Sequence, residues 1–587
     1  MSQNQTVHSV LYVDIGSVNT RVSLYDQTDG KFAYIGAASA NSAAGDAEQS
    51  EYLGVVEAIQ KLERATKRKI LDRNQNIVMP VKFDHSGIDQ VAASYTCVAD
   101  PRVAIMGLTH SGSLQNTRDL LSKVGITPVV EICAEDGKTV SENLDTLLNA
   151  APRIVIIAGG VEAGAEISIY RLGETLMLAC RSLPKEQRPI VLFMGNSAAK
   201  IQMDRVFSRL SDISYTANVL ETGTGIQSSL NGLINILRKD LELRSPGFRV
   251  FRERTKCAVI PGEFAFGRNI RLMSRLIRQN HHVLGIDIGA RQTIIADAVN
   301  LDLSLETIPM GVGNGINQVL NEISPAEISN WVGFQIKASE IQDYILNKCY
   351  YPELVPANKY SAEIELATAR LIIQRGVEKL NLGNRLADGS LATVFLSGAL
   401  LRNVEDPGDA LRVGMDSLVP VGMIDYLLDM NGISGAIGTL AHLNPTLVSQ
   451  MMKTSAYLNL GRVIRPQGLP ESLSKPVMTI SLHDDTGNER KYEIPNGRIF
   501  RIPLEYGKNY EMDWTSVPRN LTIPGVKTWA TVGFKSGCFG LVFDTREVKE
   551  GKIKLPKDKA TRLRKLESWS EELGPWKRNS DEEEAHA

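Results

Sequence analysis

The stretch VLYVDIGSVNTR, Val10 to Arg21, recurs roughly 270 residues later as VLGIDIGARQT, Val283 to Thr293. In each copy an apolar run ends in Asp-Ile-Gly, and after a short turn a second apolar run begins, at Thr20 to Tyr25 and at Thr293 to Val299. Two apolar runs joined at a glycine turn spell a β-hairpin. Gly16 and Gly289 would permit φ > 0 and close approach of a ligand, successive backbone N–H groups could hold phosphate oxygens, and Asp14 or Asp287 could hold a hydrated Mg²⁺. One copy of so short a motif is an ordinary turn; two copies, each opening an αβ-rich segment, imply paired lobes that share one nucleotide site.

A third element fits the same chemistry. Leu391 to Leu400, LATVFLSGAL, is an apolar strand that breaks at Ser397-Gly398-Ala399, which puts a backbone turn at a strand's carboxyl end. The set resembles the acetate-kinase, sugar-kinase, Hsp70 and actin superfamily, in which two Asp-Gly hairpins grip the phosphates and a later small-residue turn faces adenosine. The resemblance implies an α/β, two-lobed actin-like (ribonuclease-H-like) ATPase fold. On it, Asp14 to Thr20 is phosphate loop one, with Gly16, Ser17, Asn19 and Thr20 toward ATP. Asp287 to Thr293 is loop two, with Gly289, Ala290, Arg291 and Thr293, and Ser397 to Ala399 is the adenosine turn. Asp14 and Asp287 take the catalytic and Mg²⁺-holding roles.

The chain as a whole narrows the partners. Its 587 residues predict three or four domains, and 43% hydrophobic with 22% charged residues is an ordinary soluble composition. Lys+Arg of 65 against Asp+Glu of 67 leaves a net charge of -2, which advertises neither nucleic acid nor a membrane surface. Six scattered cysteines, with no Cys-x-x-Cys and no histidine at metal-ligand spacing, read as buried reduced thiols. MSQNQTVHSV lacks the features of a signal peptide and no apolar run approaches 18 residues, so a cytoplasmic location is expected.

The periodicity divides the chain into a first lobe, 1–80, an αβ parallel-sheet insertion, 81–250, a second lobe, 251–460, a small β-domain, 466–550, and a charged tail, 551–587. Within the insertion, strands at Arg102 to Leu108, Arg153 to Ala158 and Pro189 to Met194 each end in a small-residue turn and are followed by a helix. Gly311-Val312-Gly313-Asn314-Gly315 lacks the Lys-Ser/Thr of a P-loop and reads as a mobile turn before a helix. Ser361 to Leu382 is a core helix, and Gly435, Ala436 and Gly438 would let another helix cross closely. Arg465 to Pro476 reads as a proline-rich linker, Phe534 to Thr545 as a last hairpin, and the tail as disordered or lightly helical.

From Ser94 to Gly164 the order RVAIMGLT, helix, VGITPVVEIC, helix, RIVIIAGGVEAG resembles the MutL-type accessory protein of adenosylcobalamin-dependent glutamate mutase, a family unrelated to the mismatch-repair protein of that name. The resemblance covers roughly residues 9 to 450. It implies an ATP-binding, weakly ATP-hydrolysing accessory or chaperone-like protein whose nucleotide state gates a partner, a cobalamin-dependent mutase. This chain departs from the family where Ala290, Arg291 and Gln292 follow Gly289 and where the adenosine turn reads Ser-Gly-Ala, so binding is the safer expectation than turnover. Two alternatives stand beside it. One is a small-molecule kinase, with Asp297 or Glu162 as base; the other is a non-catalytic actin-like scaffold.

Overall fold

The computed structural model describes residues 7–42, 50–207, 209–222, 224–277, 280–300, 302–453, 456–470, 475–527 and 530–576. It divides into two compact units, Met1–Tyr25 with Ile35–Phe264, and Asp26–Tyr34 with Ala265–Ala587.

Among the described residues the strands up to Phe264, of which β2 and β3 meet at a tip that belongs to the second unit, are β1 (Ser9–Ile15), β2 (Asn19–Thr28), β3 (Lys31–Asn41), β4 (Gln90–Tyr95), β5 (Val103–Gly107), β6 (Val130–Cys133), β7 (Ile154–Gly159), β8 (Ile190–Gly195), β9 (Ile213–Tyr215) and β10 (Val259–Pro261). They form two sheets. The first has the order β10-β4-β1-β2-β3, with β4 parallel to β1 and β10 parallel to β4. Val10, Leu11, Val13 and Ile15 are almost fully buried, and so are Val55, Ile59 and Leu62 of the helix Ser50–Thr66, whose three- to four-residue apolar spacing sets one face on the sheet. β4, which falls within the stretch 81–250 read as the insertion, pairs with β1 in this sheet.

The second sheet, order β6-β5-β7-β8-β9, is parallel throughout. Its central strands are buried from end to end, as strands covered by helices on both faces must be. The order reverses between β5 and β7, the doubly wound pattern whose ligands lie beyond the strands' carboxyl ends.

In the second unit the strands include β11 (His282–Ile288), β12 (Thr293–Val299), β13 (Asp302–Ile308), β14 (Leu391–Ser397), β15 (Gly422–Leu428), β16 (Leu458–Arg465), β17 (Met478–Asp484), β18 (Glu489–Ile494), β19 (Ile499–Ile502), β20 (Asn509–Ser516), β21 (Val532–Lys535) and β22 (Leu541–Asp544). An eight-stranded sheet runs β13-β12-β11-β14-β15-β16-β22-β19. Its first five strands repeat the 3-2-1-4-5 order of the first unit, with β11 antiparallel to β12 and parallel to β14. This is the duplicated, mixed α/β architecture expected of ribonuclease-H-like lobes.

Three expectations for the C-terminal part change. Phe534 to Thr545 is no hairpin: β21 lies in a separate four-stranded sheet, β18-β17-β20-β21, whereas β22 joins the lobe's sheet beside β16, and the chain changes sheet at Gly537 and Gly540. Arg465 ends a strand and is buried, so it is no part of a linker; residues 471–474 of that stretch lie outside the described residues. The tail forms the helix Lys559–Glu572, with Leu566, Trp569 and Leu573 buried against the lobe core. Its charges mask a sparse apolar stripe at i, i+3 and i+7. The acidic run Asp581 to Glu584 is outside the described residues.

Helix Lys359–Lys379 crosses the second lobe's core and starts with a capping box, Asn358 Oδ1 accepting from the Ser361 N–H at 2.9 Å. Asn358→Ala is expected to cost about 1 kcal/mol, read as a lower urea midpoint at unchanged slope.

Candidate functional site

The two loops share the bond that closes the turn. In loop one the Gly16 N–H donates to the Asn19 carbonyl at 3.1 Å; in loop two the Gly289 N–H donates to the Gln292 carbonyl at 3.0 Å. Neither glycine uses the positive φ that it would permit. Glycine is needed for space instead, since a Cβ on Gly16 would stand 2.6 Å from the Asn19 oxygen and one on Gly289 2.8 Å from the Gln292 oxygen. Both N–H groups are consumed in closing the turn, so any anion must be met from Ser17 and Ala290 onward.

Asp14 and Asp287 sit half-buried at the ends of β1 and β11, each opposite a serine of the parallel neighbour, Ser94 and Ser397. Ser94 Oγ donates to Asp14 Oδ1 at 3.3 Å and lies 2.6 Å from the Tyr12 hydroxyl. Ser17 is half-buried and Asn19 exposed. Thr20 and Thr293 are fully buried, and their hydroxyls are engaged, Thr20 with Ser42 Oγ at 2.8 Å and Thr293 with the Met310 carbonyl at 2.9 Å. Each threonine thus ties the start of its lobe's second strand to the chain leaving the third.

Loop two rests on the glycine run. Val312 N–H donates to the Gly289 carbonyl at 3.1 Å, and the N–H groups of Gly313 and Gly315 donate to the Ala290 carbonyl at 2.8 and 3.0 Å. A Cβ on Gly311 or Gly313 would fall 2.6–2.7 Å from loop-two atoms, and one on Gly315 would collide with the Arg291 carbonyl. The run is thus a hydrogen-bonded brace and not a loose turn. In a trans peptide the C=O and the following N–H point in opposite directions. Carbonyls 289 and 290 face the brace, so the N–H groups of Ala290 and Arg291 are directed away from it. Arg291 Nη2 reaches the Gln292 side-chain oxygen at 2.6 Å.

The Ser397–Ala399 turn backs onto loop two. Gly398 has φ 108° and ψ 157°, a conformation open in practice to glycine alone, and a Cβ there would stand 2.6 Å from the Ile288 nitrogen. Ser397 is buried and Ala399 exposed. Beneath the turn lies a buried polar chain that the sequence reading missed. Ser397 Oγ donates to Asp429 at 3.5 Å, and Asp429 accepts the N–H groups of Ile433 and Ser434 at 2.9 Å each. Ser434 Oγ lies 3.2 Å from the Tyr457 hydroxyl, which accepts from Asn269 at 2.9 Å. The only sequence signal for Asp429 was an aspartate directly after an apolar strand. The close crossing expected at Gly438 is present, with its α-carbon against the Ala265 carbonyl.

Neither carboxylate nominated as a kinase base is poised for one. Asp297 is buried and paired with Arg385 and, at 2.9 Å, with His282. Glu162 accepts from Ser197 Oγ at 2.5 Å and Asn218 Nδ2 at 2.8 Å, and these bonds hold its carboxyl below the usual glutamate range.

Duplicated hairpin loops, each with an aspartate at the strand end, and a glycine turn braced on the second loop define a two-lobe α/β protein of the ribonuclease-H-like kind. The family model for MutL protein matches residues 10–456, and the chain belongs to that family, the one whose order of motifs is recognisable in the sequence. A search of curated proteins gives no match. Solved structures with similar chains include the nucleotide-free structure of an acetone carboxylase (12% identity, TM-score 0.34, covering 74% of this chain and 70% of that one). A diol dehydratase-reactivating factor in nucleotide-free form is another (9%, 0.31, 74% and 99%), and gluconate kinase from Lactobacillus acidophilus a third (11%, 0.29, 77% and 93%). At these identities and scores no residue role transfers from them. Among the described residues no helix is long and apolar enough to cross a membrane.

Proposed function

We propose that this protein binds ATP with Mg²⁺ through the two Asp-Ile-Gly loops and the Ser397–Ala399 turn, hydrolyses it weakly, and serves as an accessory protein to an adenosylcobalamin-dependent mutase in the cytoplasm. The observation that carries the reading is the repetition of one turn, in which the glycine's own N–H is spent on the carbonyl three residues on; in loop two the following N–H groups are also turned outward by the brace. The donor set fits the ligand. Aspartate oxygens at Asp14 and Asp287 suit a hard cation that keeps much of its water. The N–H groups of Ala290 and Arg291, with the Ser17 and Asn19 side chains, suit phosphate oxygens. Gly398 lets the Ser397–Ala399 turn pack directly on the Ile288 backbone beside loop two, and the exposed Ala399 end of the turn is the part offered to adenosine.

Mg²⁺ supplies charge neutralisation at the β- and γ-phosphates. The protein's share is positioning. The Gly311–Gly315 brace fixes the loop-two peptides, and Ser94 orients Asp14. Membership of the MutL family supports the accessory role and the mutase as partner. The absence of a carboxylate poised as base, at either of the two nominated positions, disfavours the kinase alternative.

Calorimetric titration of the purified chain with ATP and Mg²⁺, with phosphate release followed in the same samples, tests the reading. Saturable binding is expected, weakened at least about tenfold, or ~1.4 kcal/mol, in both Asp14→Ala and Asp287→Ala. Phosphate release then separates an ATPase from a binder. A folded wild-type chain that binds no ATP would overturn the proposal and leave the scaffold.

A further inference from the structure

Ligand donors also gather at the carboxyl end of the insertion's sheet, in side chains that the nucleotide reading does not use. β5 and β6 are parallel neighbours with Gly107 opposite Cys133. Three residues beyond Gly107 the chain delivers His110, and directly after Cys133 a single 3₁₀ turn, Ala134–Asp136, folds Asp136 back over the cysteine. One nitrogen of His110, Sγ of Cys133 and one oxygen of Asp136 all lie within 4.8 Å of one another. Cys133 is buried, while the His110 and Asp136 side chains reach solvent, which gives the cluster a floor and an entry path.

We infer that His110, Cys133 and Asp136 form a binding site for a zinc-type divalent cation, separate from the magnesium of the nucleotide. The donor set selects the metal. Thiolate, imidazole and carboxylate together suit Zn²⁺, whereas Mg²⁺ is bound through oxygen. The local geometry is close to what zinc needs. Bonds of about 2.0–2.3 Å in a tetrahedron put ligand atoms roughly 3.3–3.8 Å apart. Reaching that requires a shift of about an ångström at the two exposed side chains and the opening of the 2.6 Å hydrogen bond between His110 Nε2 and Asp136 Oδ1. Lys138 approaches the other Asp136 oxygen at 3.8 Å, so Oδ1 is the one turned to the cluster.

Glu135 supplies the support that metal ligands ordinarily have. Its Oε2 accepts the His110 backbone N–H at 2.9 Å and lies 3.9 Å from Cys133 Sγ, tying the two ends of the site together. Three protein ligands leave the fourth tetrahedral position to water or to Glu135. On binding, the Cys133 S–H gives its proton to solvent and the thiolate sulfur bonds the ion, so affinity rises with pH.

The test uses the full chain, stripped of metal with a chelator, and reads two signals. Zn²⁺ is titrated in competition with a chromophoric chelator, and Co²⁺ is added as a spectroscopic probe, since a cobalt–thiolate bond gives a charge-transfer absorption in the near ultraviolet. One equivalent of either ion is expected, with the absorption present in wild type and in Cys180→Ser and lost in Cys133→Ser. His110→Ala, at an exposed side chain that folding does not require, should weaken Zn²⁺ by more than the roughly 10–100-fold that removing an outer hydrogen-bond partner costs. Asp287→Ala should leave the cobalt signal unchanged. A folded wild type without stoichiometric binding, or a charge-transfer band that survives Cys133→Ser, would overturn the site.

Discussion

Arg546→Ala is expected to destabilise the second unit by about 3 kcal/mol, the cost of taking one of two cationic partners from each of two buried carboxylates and opening the network. Arg546 is 1% exposed and bridges two carboxylates, Asp416 Oδ1 at 2.6 Å and Asp544 at 2.7 and 2.9 Å. Asp416 also pairs with Arg370 at 2.8 Å, and Asp544 with Arg465. All five groups are buried. Burial alone would raise the Asp544 carboxyl, but the combined pull of Arg465 and Arg546 outweighs it and holds the group low. A carboxyl lowered on folding contributes stability that is present above its unfolded pKa of about 3.9 and is lost as pH falls through the folded value. The wild type should therefore keep this contribution down to about pH 4 and lose it below. Urea unfolding at neutral pH checks the main effect. The contrast is Lys552→Ala, which removes an exposed pair with Glu378 at 2.7 Å and should cost under about 1 kcal/mol.

Gly398→Val is the second large effect, about 3 kcal/mol or more of stability together with loss of ATP binding. Two costs add: a side chain in a glycine-only region of φ and ψ costs of order 1–3 kcal/mol, and forcing atoms into a filled space costs a similar amount. The added atoms would press on the Ile288 backbone, which leads straight into Gly289. Loop two would shift with it, so calorimetry and urea midpoint should fall together. Gly383→Ala is the matched control, because a Cβ there meets nothing within 4 Å. A Gly398→Val protein with wild-type midpoint and ATP affinity would show that the turn is not braced on the loop.

The hairpins were legible because their signal is local: an apolar run, Asp-Ile-Gly, and a second run lie within a dozen residues. Gly398 was legible for the same reason, since a strand that stops at Ser-Gly must turn. What was not legible depends on register between distant strands. Nothing near Ser94 announces that it will face Asp14, and the Gly311–Gly315 run shows its purpose only when loop two lies across it. Both phosphate-loop glycines were read as conformational devices when steric room is what they provide. The tail was misread through its charge, which outnumbers the three apolar residues that dock it. His110 and Cys133 are far apart in the chain, so no spacing rule finds them; parallel pairing of β5 with β6 does.

The eight-stranded sheet has a consequence for synthesis. β11 to β15 are complete by Leu428, yet β15 must pair with β16, and β16 in turn with β22, which is translated about eighty residues later. A nascent chain that has emerged only to Lys453 carries nearly all of the matched family segment but leaves β15 as an unpaired edge of a largely apolar sheet. Such an edge is a template for the wrong neighbour, and long-range pairings are slow to form. The second lobe is thus exposed to polysome-level misassociation until its last strands arrive, and truncations placed at the proline-rich stretch after Arg465 would keep β16 on β15 but leave β16 itself as a permanent open edge.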